Sequence, residues 1–148
     1  MRALIQCVSE ASVTVEGRIT GSIGRGMLVF LGVGHGDTTE QADKLWSKIS
    51  KMRIFEDADG KTNLSLADIG GEVLGVNQVT LYANCRKGNR PSFTAAGNPD
   101  DARRLYEYFA ESVRRDTGRV QTGEFGAMMD VALINRGPFT IWLDTDEL

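Results

Sequence analysis

Two short segments place amides and hydroxyls where the surrounding strands want apolar residues: Asn77-Gln78-Val79-Thr80-Leu81, and Asn135-Arg136-Gly137-Pro138-Phe139-Thr140. Such groups in or beside a sheet cost free energy unless hydrogen-bonded, so Asn77, Gln78 and Thr80 either satisfy backbone or receive a ligand. Thr80 is the one hydroxyl there, and without a nearby base it stays protonated and weakly nucleophilic. The single histidine, His35, sits among glycines and reads as a solvated loop residue rather than a base. A Ser-His-Asp or Cys-His hydrolase is therefore not expected. Two cysteines without clustered histidines give no zinc site, and no ligand cluster suggests a metal or organic cofactor. Arg86, Lys87 and Arg90 form a basic cluster suited to an RNA end, whereas Arg103, Arg104, Arg114, Arg115 and Arg119 alternate with acids and read as a solvated helix face.

Two other signals are set aside. Gly32-Val33-Gly34-His35-Gly36-Asp37 follows a strand and precedes a helix, as a dinucleotide-binding loop would, but Asp37 replaces its third glycine. A carboxylate aimed at a pyrophosphate opposes that role, so a flexible turn is expected. Asp57-Ala58-Asp59-Gly60 begins like a calcium loop but lacks the third acidic ligand and the closing glutamate, which leaves a hairpin turn.

These residues must be held by a scaffold of 148 residues, with 17 Lys+Arg against 20 Asp+Glu and 41% hydrophobic residues. That length and composition predict one soluble domain over residues 1–148, and no apolar run approaches the roughly 20 residues of a membrane span. Cys7 and Cys85 are expected as reduced, structural thiols in a cytosolic, cytoplasmic setting. The net charge of -3 removes the long-range pull of a generally basic nucleic-acid binder and leaves room for a local patch.

Ala3 to Val8 and the alternation Val13, Val15, Ile19 around Glu16-Gly17 predict two or three opening strands. Met27 to Leu31 predicts a central strand buried on both faces. Ala42, Leu45, Trp46 and Ile49 recur at helical spacing, with Asp37 and Glu40 placed as a capping box. A second helix starts at Asn98-Pro99, runs Ala102, Leu105, Tyr106, Phe109 and Val113 along one face, and stops at Gly118. Arg53 to Phe55, Val73 through Tyr82, and a final pair, Met129 to Ile134 with Phe139 to Leu143, are the remaining strands. Each parallel crossover needs its own helix, so two helices among about eight strands exclude an all-parallel sheet. The expected fold is α+β, a curved or barrel-like, mainly antiparallel sheet carrying two helices.

Ala3-Leu4-Ile5-Gln6, Gly21 to Gly24, Arg53-Ile54-Phe55, Gly60-Lys61, Gly70-Gly71, Gln78 with Thr80-Leu81, Arg90-Pro91-Ser92-Phe93, Thr122-Gly123, Phe125-Gly126-Ala127 and Asn135 with Gly137-Pro138 together resemble the D-aminoacyl-tRNA deacylase family across nearly the whole chain. The resemblance implies a cytoplasmic homodimer that hydrolyses the ester between a D-amino acid and the tRNA 3' end, a chiral proofreading step in trans. It implies a cis Gly137-Pro138 peptide reaching into the partner's site, where main-chain carbonyls inspect the chiral centre. It assigns Gln78, Val79 and Thr80 to catalysis, with backbone N–H groups around Val79 and Thr80 holding the carbonyl oxygen and the terminal 2'-hydroxyl assisting. Asn77, Leu81, Phe125, Met129, Gly137 and Pro138 bind the substrate, and Arg86, Lys87 and Arg90 hold the tRNA; neither DNA nor a membrane is an expected partner.

Three positions depart from the family pattern. Asn77 stands in place of serine and Cys7 in place of arginine, which removes a cation with five donors beside the Gly-Pro loop. A loop held less firmly is expected to sit trans, widening tolerance to glycyl- or L-alanyl-tRNA, or leaving a non-catalytic binder of the tRNA end. Val79, where phenylalanine is common, either enlarges the pocket or repacks beside Phe139.

Overall fold

The computed structural model describes all 148 residues. The strands β1 (Arg2–Val15), β2 (Arg18–Ile23) and β3 (Gly26–Gly32) come first, followed by helix α1 (Thr39–Lys51). The short β4 (Phe55–Glu56) and β5 (Thr62–Leu64) precede β6 (Glu72–Asn77) and a 3-10 turn, Val79–Tyr82. Helix α2 (Pro99–Thr117), β7 (Gln121–Thr122) and β8 (Asp130–Asp144) complete the chain, with a 3-10 turn at Thr145–Glu147.

The sheet runs β2-β1-β3-β6-β7, and β8 pairs with β1. β1 is antiparallel to β2, β3 and β8, while β3–β6 and β6–β7 are parallel. The sheet is mainly antiparallel, as expected, and its two parallel pairings are crossovers, with α1 in one and α2 in the other. The far edges approach each other: Ser22 N–H donates to Gln121 Oε1 at 3.2 Å, and a Cβ on Gly21 would lie 2.5 Å from Thr122 O. This nearly closes the barrel.

Of the two or three opening strands expected there are two, because Ala3 to Val8 and Val13 to Val15 lie on the single β1, which pairs β3 through its first half and β2 through its second, with β8 along its other edge. The β1–β2 hairpin turns at Glu16 and Gly17, both at positive φ. Met27, Leu28, Val29 and Leu31 are buried at the centre of the sheet, as their unbroken apolar run requires. The β4–β5 hairpin carries the Asp57 turn, whose carboxylate accepts from the N–H groups of Asp59 and Lys61.

Both helices bury the predicted stripes, and the α1 stripe packs with Leu105, Tyr106, Phe109 and Val113 of α2 in the main core. Asn98 caps α2 through Asp101 N–H, and Gly118 ends it in the left-handed conformation. The α1 cap differs from expectation: Thr38 and Gln41 make the capping box. Asp37 is taken elsewhere. Its carboxylate accepts from Gly34 N–H at 2.6 Å and pairs with the Met1 ammonium at 2.9 Å, which pins the Gly32–Gly36 loop expected to be a flexible turn and occupies the N–H a phosphate would need. Cys85 also departs, being exposed rather than part of the core. No helix is long and apolar enough to cross a membrane.

Candidate active site

The Asn77–Leu81 segment is not strand throughout. β6 ends at Asn77, Gln78 N–H donates to Leu31 O, and the chain then tightens into the Val79–Tyr82 turn. The first N–H groups of such a turn have no partner within it, and those of Val79 and Thr80 donate to nothing else in the fold. Gln78 Nε2 donates to Thr80 Oγ1. This orients the hydroxyl and leaves its proton free, with no base or histidine hydrogen-bonded to it. The Asn77 side chain makes no hydrogen bond, so the polar groups of this segment are not spent on backbone. Val79 is 46% exposed, and Phe139 packs against the main core.

Arg2 is a supporting residue that sequence reasoning missed. Its Nη1 donates to Leu81 O at 2.9 Å, its Nε donates to Asp144 Oδ2 at 3.0 Å, and its guanidinium stacks 4.4 Å from the Tyr82 ring centre and 5.5 Å from that of Trp142. One planar fork thus ties the 3-10 turn to the ends of β1 and β8. Burial among neighbouring carboxylates raises the Tyr82 hydroxyl pKa well above its usual value, and Asp144 is held below the carboxylate range by hydrogen bonds from Asp146 N–H and Arg2 despite its burial. Arg2 opens a strand and looks like an ordinary edge residue in the sequence; only its partners mark it.

The Asn135–Thr140 segment is a bulge. β8 was expected as two strands but is one, both halves of which pair with β1: Thr140 faces Gln6 and Asn135 faces Val8. Cys7 alone lies between those two on β1, while Arg136, Gly137, Pro138 and Phe139 arch outward on β8. Asn135 closes the arch, its Nδ2 donating to Cys7 O and Phe139 O, both at 2.9 Å. Gln6 Nε2 donates to Thr140 Oγ1 at 3.2 Å, which donates to Asn135 Oδ1 at 3.3 Å. The motif's amide and hydroxyl are therefore spent on holding Gly137-Pro138. That peptide is cis, so the trans arrangement expected from the loss of arginine at position 7 is not adopted.

Phe125 packs beside the Tyr106 ring at 6.0 Å between centres, under the Arg103 guanidinium at 4.7 Å, and Tyr106 O–H donates to Gly75 O in β6. Met129 packs against the second core cluster beside Gly123 and Val13. Arg86, Lys87 and Arg90 are exposed on a loop closed by reciprocal Asn84–Ser92 backbone bonds at 2.7 and 2.9 Å, directly after the 3-10 turn. Arg103, Arg104 and Arg114 pair with acids on α2, in keeping with a solvated face.

One chain does not bring its two motifs together. Arg2 binds Leu81 O and faces Asp144 in register, so the 3-10 turn sits at one end of the β1–β8 ladder, whereas Pro138 lies six residues back along β8. The ladder between them is the five residues of β1 from Arg2 to Cys7, about 17 Å at 3.3 Å per residue, and with the outward arch of the bulge the motifs stand on the order of 20 Å apart.

The family model described as D-Tyr-tRNA(Tyr) deacylase matches residues 4–144. The chain belongs to that family. It is 56% identical to the D-aminoacyl-tRNA deacylase of Thermomicrobium roseum, over 100% of this chain and 96% of that one. It is 55% identical to the protein of that name from Thermotoga petrophila, over 100% and 99%. A solved structure named c-Myc DNA Unwinding Element Binding Protein superposes with a TM-score of 0.91 at 39% identity, covering 97% of this chain and 98% of that one. A probable eukaryotic D-amino acid tRNA deacylase shares the fold, with a TM-score of 0.85 at 20% identity over 96% and 97%. Hydrolysis of D-aminoacyl-tRNA comes with membership of this family.

Proposed function

We propose that this deacylase works as a homodimer with composite sites, each joining the Asn77–Leu81 turn of one copy to the Gly137-Pro138 bulge of the other. The separation along the β1–β8 ladder carries this reading, because a bulge about 20 Å from its own chain's turn reaches a substrate there only from a second copy. Exposed apolar side chains at Val79, Ile134 and Trp142 would be covered in such an assembly.

Within the site, water attacks the ester carbonyl and the N–H groups of Val79 and Thr80 hold the oxyanion. Thr80, oriented by Gln78, donates to the reacting oxygens, and the terminal 2'-hydroxyl of the tRNA moves the proton that histidine moves in other hydrolases. Asn77 and Leu81 flank the amino acid, with Phe125 and Met129 shaping the pocket wall. The carbonyls of Gly137 and Pro138 face the chiral centre, while Arg86, Lys87 and Arg90 follow the tRNA strand. The setting is the cytoplasm, where aminoacyl-tRNA is made and used.

The test mixes two disabled variants. Thr80→Pro removes an oxyanion N–H and Pro138→Ala alters the bulge; each alone cleaves D-tyrosyl-tRNA poorly. After subunit exchange, shared sites restore about a quarter of the wild-type activity, since half the dimers are mixed and each has one intact site. No recovery overturns the shared site, and wild-type cleavage of L-tyrosyl-tRNA as fast as D-tyrosyl-tRNA overturns chiral selection.

A further inference from the structure

Behind the Arg136–Phe139 bulge lies a cavity of about 380 Å³, whose lining includes Cys7, Ser9, Thr62 and two arginines, Arg25 and Arg136. Seven arginines of this chain pair with a carboxylate within 4.0 Å, and Arg53 is held by Asn63. The exposed guanidiniums of Arg25 and Arg136, like those of Arg86 and Arg90, make neither an ion pair nor a hydrogen bond, and that of Arg25 lies 5.9 Å from the Phe55 ring centre. Glu56 shares the cavity wall without coming within ion-pair distance of either. Burial pushes the Cys7 thiol up to about 11, so it remains neutral and supplies no counter-charge. Two like charges on one wall repel each other, and an anion between them turns that cost into paired, charge-assisted hydrogen bonds. Planar guanidiniums suit phosphate oxygens in particular, with the Ser9 and Thr62 hydroxyls as additional donors.

We propose that this cavity binds a phosphodiester of the substrate's 3'-terminal strand, with Arg25 and Arg136 as its ligands. The assignment rests on the composite-site reading, in which the second copy's catalytic turn meets this bulge. The ester is carried on the terminal sugar, and the 5' side of that sugar is a phosphodiester. An anion site beside the bulge therefore lies one nucleotide from the reacting carbonyl. Neither arginine belongs to the basic loop at Arg86–Arg90, so the strand is held at two separate places, one on each copy.

The experiment compares wild type with an Arg25→Gln/Arg136→Gln variant on two esters, D-tyrosyl-tRNA and D-tyrosyl-adenosine, which has the same ester but no phosphodiester. In single-turnover measurements, the half-saturating enzyme concentration for the tRNA rises about tenfold in the variant. The slope of its logarithm against the logarithm of salt concentration falls by about 0.7 for each phosphate that the variant leaves unneutralised. The loss on the nucleoside ester is several times smaller, and an Arg25→Lys/Arg136→Lys variant recovers the salt slope.

Equal losses on both esters overturn the proposal, since the arginines would then be holding the bulge. An unchanged tRNA curve also overturns it. Saturable inhibition by inorganic phosphate, beyond that of chloride at equal ionic strength, that does not compete with the tRNA overturns it in favour of a separate free-phosphate site. A wild type that cleaves neither ester refutes the catalytic reading separately. The cavity is then decided by binding of uncharged tRNA, where a reduced salt slope in the glutamine variant supports it and an unchanged slope overturns it.

Discussion

Asn135 carries the bulge, and its replacement has a calculable effect. In Asn135→Ala, Cys7 O and Phe139 O each lose a donor at 2.9 Å, and Thr140 loses an acceptor. The groups are partly buried, so water replaces some of these bonds. At about 1 kcal/mol for each carbonyl the fold loses about 2 kcal/mol. For a chain of 148 residues that lowers Tm by about 4–8 °C. Deacylation suffers more, because the arch is set loose at its base and misplacement by an ångström costs on the order of a hundredfold in rate. Asn135→Asp sharpens the test. A carboxylate facing two carbonyl oxygens is repelled by both, so at pH 7 this variant melts below Asn135→Ala. The same repulsion raises its pKa above the unfolded value, so its stability is recovered as the pH falls through that pKa, when the protonated group donates one bond. Differential scanning calorimetry at pH 7 and pH 4, with single-turnover hydrolysis alongside, gives both readouts. An Asn135→Ala variant melting within about 1 °C of wild type with an unchanged rate refutes the reasoning, as does an aspartate milder than alanine at pH 7.

Thr80→Ala reduces single-turnover hydrolysis of D-tyrosyl-tRNA by about tenfold without abolishing it, since the backbone N–H groups remain; complete loss with fold and tRNA binding intact would show a covalent threonine mechanism. Arg2→Ala lowers the rate by more than Arg2→Lys does, while both melt within a few degrees of wild type, because lysine keeps the charge but not the fork that joins Leu81 O to Asp144; equal rates in the two variants would place the effect in the fork alone, and a wild-type rate in Arg2→Lys would place it in charge alone. Burial raises the Cys7 thiol from 9.0 to about 11, so above pH 9 the unfolded chain releases a proton that the folded chain keeps. Stability therefore declines from pH 9 to about pH 11, and Cys7→Ala flattens that part of the Tm-against-pH curve; an unchanged slope would remove Cys7 from the account.

Both helices, their buried stripes, the central strand and the β1–β2 and β4–β5 turns were legible in the sequence, because they follow from local rules. Apolar residues recur at the helical period, capping residues flank them, and glycine or an Asx turn marks the reversals. The two polar motifs were visible for a related reason, since amides and hydroxyls interrupt runs that otherwise bury apolar surface. What each polar group does was not local. Asn135 and Thr140 face back into the bulge while Gln78 and Thr80 face out of the fold, a difference set by hydrogen-bond partners as distant in the chain as Gln6 and Cys7. Asp37 looked like a cap and became the partner of the Met1 ammonium. Val79–Tyr82 looked like strand and became a turn, in which Arg2 holds Leu81 O and Ala83 N–H holds Thr80 O. The separation of the two motifs along the β1–β8 ladder and the cavity that Arg25 and Arg136 share exist only after β1 has paired with three strands at once. Periodicity records which face of an element is buried, whereas pairing between distant strands decides which elements meet, and a composite site depends on the second.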